Sequence, residues 1–262
     1  MIAISDNVQV RKDKPSATVV INRPNCRNAL SREMVTSLHQ VLEDLHQEIG
    51  VSGVILTGSG PAFCAGTDLR ELKETSESKD SLQIHQSDVA AFQDLIEYML
   101  RYPKPIVCGI NGWVVGSGVS LMLASDIVVA DESAQLLLPE SKLGLFSGIT
   151  AALLAFRAGA GRASSILHSN EPMDAELAKS HGLFHETVAN ELVWARCHEV
   201  VSQIGIGAHQ THLLTKQMLN QTIGEELFTQ LSIGSANTAA ARSTETAIEG
   251  INAFLEKREP SW

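Results

Sequence analysis

Two hydrophobic rhythms alternate through the first part of the chain, and one of them takes over in the last third. Short apolar, largely β-branched runs predict strands at residues 17–22 (ATVVIN), 53–57 (GVILT), 106–111, 127–130 and 135–138. Between the first two, Met34, Val35, Leu38, Val41, Leu42, Leu45 and Ile49 recur at helical spacing behind Ser31, a suitable N-cap. Residues 88–101 predict an amphipathic helix with Val89, Phe92, Leu95, Ile96 and Met99 inward. Tyr102-Pro103-Lys104-Pro105 stops it. Residues 62–69 lead into a short helix, and 119–124 form a buried one. Residues 73–86 are polar without a clear period and predict a mobile loop. From about Ile149 the helical pattern dominates, no strand is expected beyond Val188, and 208–219, 225–231 and 236–257 are wholly helical. Strands alternating with helices ahead of a helical tail predict a mixed α/β protein.

Composition narrows the classes. Hydrophobic residues make up 44% and charged residues 19%, which suits a packed core rather than disorder. The formal net charge of −10 argues against a nucleic-acid binder and requires local cations wherever an anionic ligand sits. Residues 1–14 are polar and lack the apolar stretch of a secretory leader. The longest uncharged runs, 107–125 and 143–156, are broken by glycines or too short for a bilayer. Cys26, Cys64, Cys108 and Cys197 have no metal-type spacing and are expected to be reduced thiols. A cytoplasmic protein without membrane association is the expectation.

Two glycine turns carry the first chemical signal. Phe63-Cys64-Ala65-Gly66-Thr67-Asp68 and Gly112-Trp113-Val114-Val115-Gly116-Ser117-Gly118 each follow a strand and open a helix. Glycine lets backbone approach a ligand closely, and a helix start offers free N–H groups. Two such starts aimed at one point would form an oxyanion hole; the plainer alternative is two ordinary tight turns. Neither turn fits a P-loop, G-x-G-x-x-G or G-x-S-x-G. Glu140, in Leu136-Leu137-Leu138-Pro139-Glu140-Ser141-Lys142, is a carboxylate in an apolar setting. Desolvation would raise its pKa toward that of a general acid/base, although an exposed glutamate at a strand end fits the same pattern. His181 and His185 stand four apart, but Gly182 breaks the run and no third ligand is evident, so no metal site is expected. Ser120 has no identifiable His/Asp partners for a nucleophilic role.

Taken in order, these segments resemble the signature of the enoyl-CoA hydratase/isomerase (crotonase) family. The matching pieces are Asn22-Arg23-Pro24 with Asn28-Ala29-Leu30, GPAFCAGTDL at 60–69, Pro103-Lys104-Pro105 with Asn111-Gly112 and Gly116-Ser117-Gly118, Ala124-Ser125-Asp126, Leu138-Pro139-Glu140 with Leu143-Gly144, and ETAIEGINAFLEKR at 245–258. The resemblance implies a crotonase-like spiral of ββα turns over residues 1–200 and a C-terminal helical oligomerisation region over 201–262, assembling as homotrimers or homohexamers. It implies an enzyme acting on an acyl-CoA thioester, with no cofactor besides the coenzyme A of the substrate. By residue matching, the backbone N–H groups of Thr67 and Ser117 form the oxyanion hole. Glu140 is the catalytic carboxylate, and Arg27, Ala65 and Lys257 contact CoA, Lys257 often in a neighbouring subunit.

One departure shapes the expected reaction. Hydratases of this family carry two glutamates that share a water; Glu140 matches the second, and the first falls at Ser120. A single carboxylate moves one proton between two carbons more readily than it hydrates a double bond. Isomerisation, or slow hydration, is therefore expected. Glu74, Glu77, Asp80 or His85 could restore a second acid. A non-catalytic acyl-CoA binder, decarboxylation and thioester hydrolysis remain alternatives.

Overall fold

Strands that read as unbroken apolar runs are buried on both faces. In the computed structural model, which describes residues 2–262 with side chains from residue 6 onward, a seven-stranded sheet meets that condition. Strands β1 (Ile2–Ser5) and β2 (Val8–Asp13) form an antiparallel hairpin that pairs onto β3 (Ser16–Ile21). Helix α1 (Arg32–His46) follows, capped by the Ser31 hydroxyl, which accepts from the Met34 amide. Then come β4 (Gly53–Gly58), β5 (Ala62–Cys64), α2 (Leu69–Ser76) and α3 (Ser81–Arg101). The pattern repeats with β6 (Ile106–Ile110), β7 (Trp113–Val115) and α4 (Ser117–Leu123), and again with β8 (Ile127–Asp131) and β9 (Gln135–Leu137).

Each of these three turns places one strand in each of two sheets. The large sheet runs β3-β4-β6-β8 in parallel, and the small one runs β5-β7-β9 in parallel. This is the expected ββα spiral. Alternation along its strands serves two cores. Val54, Leu56, Ile106, Cys108, Ile110, Val128 and Ala130 face the main core with α1, α3 and α4. Ile55, Val107 and Val129 face the opposite way, against Val193, Cys197 and Val201 of α8 (Val193–Ile204).

The chain then adds α5 (Gly148–Ala158), α6 (Ala160–Ser169), β10 (Met173–Asp174), α7 (Ala175–Ser180) and β11 (Glu186–Val188), which closes the large sheet beside β8. After α8 come α9 (His209–Gln217), a π turn at Met218–Ile223, α10 (Glu225–Arg242) and α11 (Glu245–Glu256). Helix α10 crosses α5 at Gly148 and Gly234, where a Cβ built on Gly234 would meet the Gly148 carbonyl carbon at 2.6 Å. Helix α11 crosses the turn at Glu140–Leu143, with Gly250 against the Leu143 carbonyl. The last two helices thus fold back over the spiral of their own chain. No helix among the described residues is long and apolar enough to cross a membrane.

Three expectations are corrected. Residues 73–86 are not a loop: α2 continues to Ser76 and α3 begins at Ser81, two turns earlier than expected. Ile49 lies beyond the end of α1 and is exposed. The polar start conceals the β1–β2 hairpin, whose Val8 and Val10 point inward.

Candidate active site

The two glycine turns meet. A Cβ on Gly66, which has φ +84°, would stand 3.0 Å from the Val115 carbonyl oxygen and 3.3 Å from the Ser117 nitrogen. A Cβ on Gly118 would overlap Cys64. Only glycine permits this contact, and it brings Thr67 and Ser117 together: their hydroxyls hydrogen-bond to each other at 2.7 Å. The first turn is braced from the loop before α1. The Leu30 amide donates to the Gly66 carbonyl, the Asp68 amide to the Leu30 carbonyl, and the Ala65 amide to the Arg27 carbonyl. Asp68 caps α2 and accepts from Arg23 at 3.0 Å. Asn28 donates to the Ser59 and Ala62 carbonyls, and Asn111 to the Gly60 carbonyl. The asparagines of the sequence signature are therefore backbone braces.

The Leu30–Thr67 bridge leaves the Thr67 amide outside its hydrogen bonds, and Ser117 is the first residue of α4, where no carbonyl of that helix can reach its amide. Neither N–H has a protein acceptor among the described residues. Both residues line one cavity of about 520 Å³.

Glu140 enters the same cavity beside the second glycine turn. It opens the 3-10 turn Glu140–Leu143 after β9, and a Cβ on Gly116 would come within 3.1 Å of its Oε1. Its Oε2 is buried without a hydrogen-bond partner. Burial raises its pKa to about 7, opposed in part by its own amide and by the Ser147 hydroxyl. Ser147, part-buried, continues into a chain of hydroxyls that runs inward, to Thr150 at 2.6 Å and on to the buried Ser120 at 2.8 Å. Ser120, at the position matching the first glutamate of the hydratases, is fully buried and takes no place in the cavity lining. Glu74, Glu77, Asp80 and His85 are likewise absent from that lining.

Of the expected CoA contacts, Arg27 and Ala65 line the cavity and Lys257 does not. Lys257 is the left-handed C-cap of α11 (φ 56°), exposed, while Phe254 and Arg258 beside it face the cavity. His185 braces the large sheet, since its Nδ1 accepts from the Val128 amide at 2.9 Å. Asp126 accepts from the Ile106 amide and from the buried Lys216. The four cysteines are unpaired thiols.

Three residues at the site carry no motif in the sequence. Ser147 and Thr150 connect to Glu140 only through the packing of α5. Arg242 lies in an alanine-rich stretch of α10. Its one available signal is that of a lone arginine among small residues.

Comparison with known proteins agrees with this architecture. The enoyl-CoA hydratase/isomerase family model matches residues 13–262. A Thermus thermophilus protein whose name provisionally assigns it to the enoyl-CoA hydratases is 34% identical over 97% of this chain and 99% of its own. The 1,2-epoxyphenylacetyl-CoA isomerase of Escherichia coli is 30% identical over 95% of each chain. The crystal structure of an enoyl-CoA hydratase/isomerase from Mycobacterium paratuberculosis superposes with a TM-score of 0.87 at 23% identity, covering 96% of this chain and 99% of that one, and shows the shared fold. The fold is that of the crotonases, and the chain belongs to the enoyl-CoA hydratase/isomerase family.

Proposed function

We propose that the cavity binds an acyl-CoA thioester and shifts a double bond within its acyl chain. The carrying observation is the pairing of two unpartnered amides, Thr67 and Ser117, with a single protonatable carboxyl, Glu140, in one cavity. In the proposed reaction the thioester oxygen sits between the amides. The Glu140 carboxylate removes a C2 proton from a 3-enoyl thioester, and the electron pair moves onto that oxygen. The same proton returns at C4 as the double bond shifts to C2–C3, which regenerates the carboxylate. A pKa near 7 serves both halves of this transfer. Each amide is expected to contribute about 3 kcal/mol to stabilising the enolate. Arg27 and Ala65 stand at the mouth, marked by the exposed rings of Trp113, Phe146 and Phe254, and are proposed to meet the CoA moiety.

Isomerisation is preferred to hydration because Ser120 is tied to Thr150 and no second carboxylate lines the cavity among the described residues. A panel of 2-enoyl and 3-enoyl thioesters tests the reading. Conversion of 3-enoyl to 2-enoyl, lost by orders of magnitude in Glu140→Gln while CoA binding persists, is the expected result. Efficient water addition to crotonyl-CoA would replace isomerase with hydratase. Binding without any conversion would make the protein an acyl-CoA binder.

Assembly into homotrimers or homohexamers is proposed as well. Leu214, Met218, Leu219 and Ile223, on α9 and the following π turn, are each at least half exposed, and a second copy of the chain would cover them.

A further inference from the structure

Four basic side chains line the cavity: Arg27, Lys142, Arg242 and Arg258. Two have carboxylate partners. Arg258 is held by Glu249, at 2.6 and 2.9 Å, and by Glu256 at 2.7 Å. Lys142 lies 3.5 Å from Glu171. Arg27 is exposed at the mouth. Arg242 is the exception. It is part-buried and forms no ion pair with any described residue; its one hydrogen bond is a long one of 3.5 Å to the Thr67 hydroxyl.

Arg242 stands beside Thr67, on the cavity wall that α10 supplies. Thr238, one turn earlier on α10, is buried, as are the lining residues Leu72, Val89 and Ile149. The acid nearest in effect, Asp88, is already bonded to Arg32 at 2.7 Å. Desolvation pulls the Arg242 pKa down to about 10, with Asp88 only partly offsetting it. His85 brings no negative charge. It is buried with neither ring nitrogen partnered, and desolvation together with Arg242 and Arg32 holds its pKa below the ordinary histidine value. Arg242 thus lines the cavity as a positive charge with no carboxylate bonded to it among the described residues, in a protein whose net charge is −10.

An unpaired guanidinium in an apolar cavity is unfavourable unless its ligand completes it, and a planar two-oxygen anion is what its fork of donors fits. Resting on the acyl-CoA reading above, we infer that Arg242 binds a carboxylate at the far end of the acyl chain, so that the substrates are monothioesters of dicarboxylic acids. The thioester sits at the Thr67 and Ser117 amides and the second carboxylate reaches the guanidinium beside Thr67. That proximity favours a short chain.

Saturated, unreactive thioesters test this independently of which reaction occurs. Glutaryl-CoA is compared with pentanoyl-CoA, and adipyl-CoA with hexanoyl-CoA; each pair differs only in a carboxylate or a methyl group at the far end. Calorimetric dissociation constants are expected to favour the diacid by about 10- to 150-fold, the range for hydrogen bonds to a charged group. Arg242→Met should abolish that preference and leave pentanoyl-CoA and free CoA unaffected; Arg242→Lys should restore part of it. Equal binding of both members of each pair by the wild type overturns the inference and leaves the acyl-CoA reading intact. Equal weakening of both members by Arg242→Met would assign Arg242 to supporting the Thr67 turn. Weakened binding of free CoA would assign it to a CoA phosphate. Binding of none of the four thioesters overturns the acyl-CoA reading, and this inference with it.

Discussion

A carboxyl that titrates near 7 opposes the fold above that pH. Glu140 has a pKa of about 7 in the folded chain against an ordinary value of 4.5. Between those values the folded state binds the extra proton, so stability is full below about pH 4.5 and falls as pH rises through 7. The loss approaches about 3 kcal/mol. Glu140→Gln escapes it. Denaturant unfolding should therefore show the variant gaining up to about 3 kcal/mol on the wild type between acidic and mildly alkaline pH, while losing turnover. Activity should run oppositely to stability: kcat/KM for a 3-enoyl thioester should rise through about pH 7 to a plateau, because the carboxylate accepts the proton. A profile flat across that range would remove Glu140 from the proton transfer. The neighbouring hydroxyl chain makes a second residue-scale prediction. Thr150→Val strands the fully buried Ser120 hydroxyl and should destabilise by about 1–3 kcal/mol. Adding Ser120→Ala should recover part of that loss. Strictly additive effects in this double-mutant cycle would mean that the two hydroxyls are not coupled.

At the scale of elements, the site depends on how α10 and α11 are held over the spiral. Gly148 and Gly234 let α5 and α10 cross backbone to backbone. Gly234→Ala puts a methyl where no side chain can yield, so about 1–3 kcal/mol of stability should be lost. Because Thr238 and Arg242 lie further along α10, thioester affinity should fall with it. Unchanged unfolding and affinity would show that the crossing has slack. The sequence shows one half of this arrangement well. Strands buried on both faces announced themselves as β3, β4, β6 and β8, and Ser31 with its periodic leucines marked α1. Elements with weaker burial did not. The start of α3 carries Leu82, half-exposed, and few inward side chains, so its period is faint. Strands β5, β7 and β10 have two or three residues each, too few for an alternation to register. The two glycine turns and Glu140 were legible as candidates because the signals they carry lie in local glycine and apolar context. The hydroxyl chain and Arg242 were not, because their contacts join residues distant in the chain, 30 apart at Thr150 to Ser120 and 175 apart at Arg242 to Thr67.

For the whole molecule, the question is which parts of the cavity one chain supplies. Helix α10 gives Thr238 and Arg242, and α11 gives Gly250, Ala253 and Phe254, all to the cavity of their own chain. The C-terminal segment, whatever its part in assembly, is a wall of the site. Lys257 stands apart from that wall. Its expected CoA contact, which the family resemblance often puts in a neighbouring subunit, is proposed to cross to a neighbouring copy. Assembly and ligand binding therefore separate experimentally. Sedimentation should find the wild type as an oligomer, and Met218→Asp with Ile223→Asp should shift it toward monomer, because both side chains are more than half exposed in the isolated chain and aspartate opposes their burial at an interface. The monomer should keep its affinity for saturated thioesters to within a few-fold, since the amides, Glu140 and Arg242 all come from one chain. Lys257→Met should weaken CoA binding in the oligomer and have no effect in the monomer. A monomer that loses all affinity would show that the partner copy completes the site. A wild type that sediments as a monomer would leave the exposed face of α9 and its π turn to some other occupant.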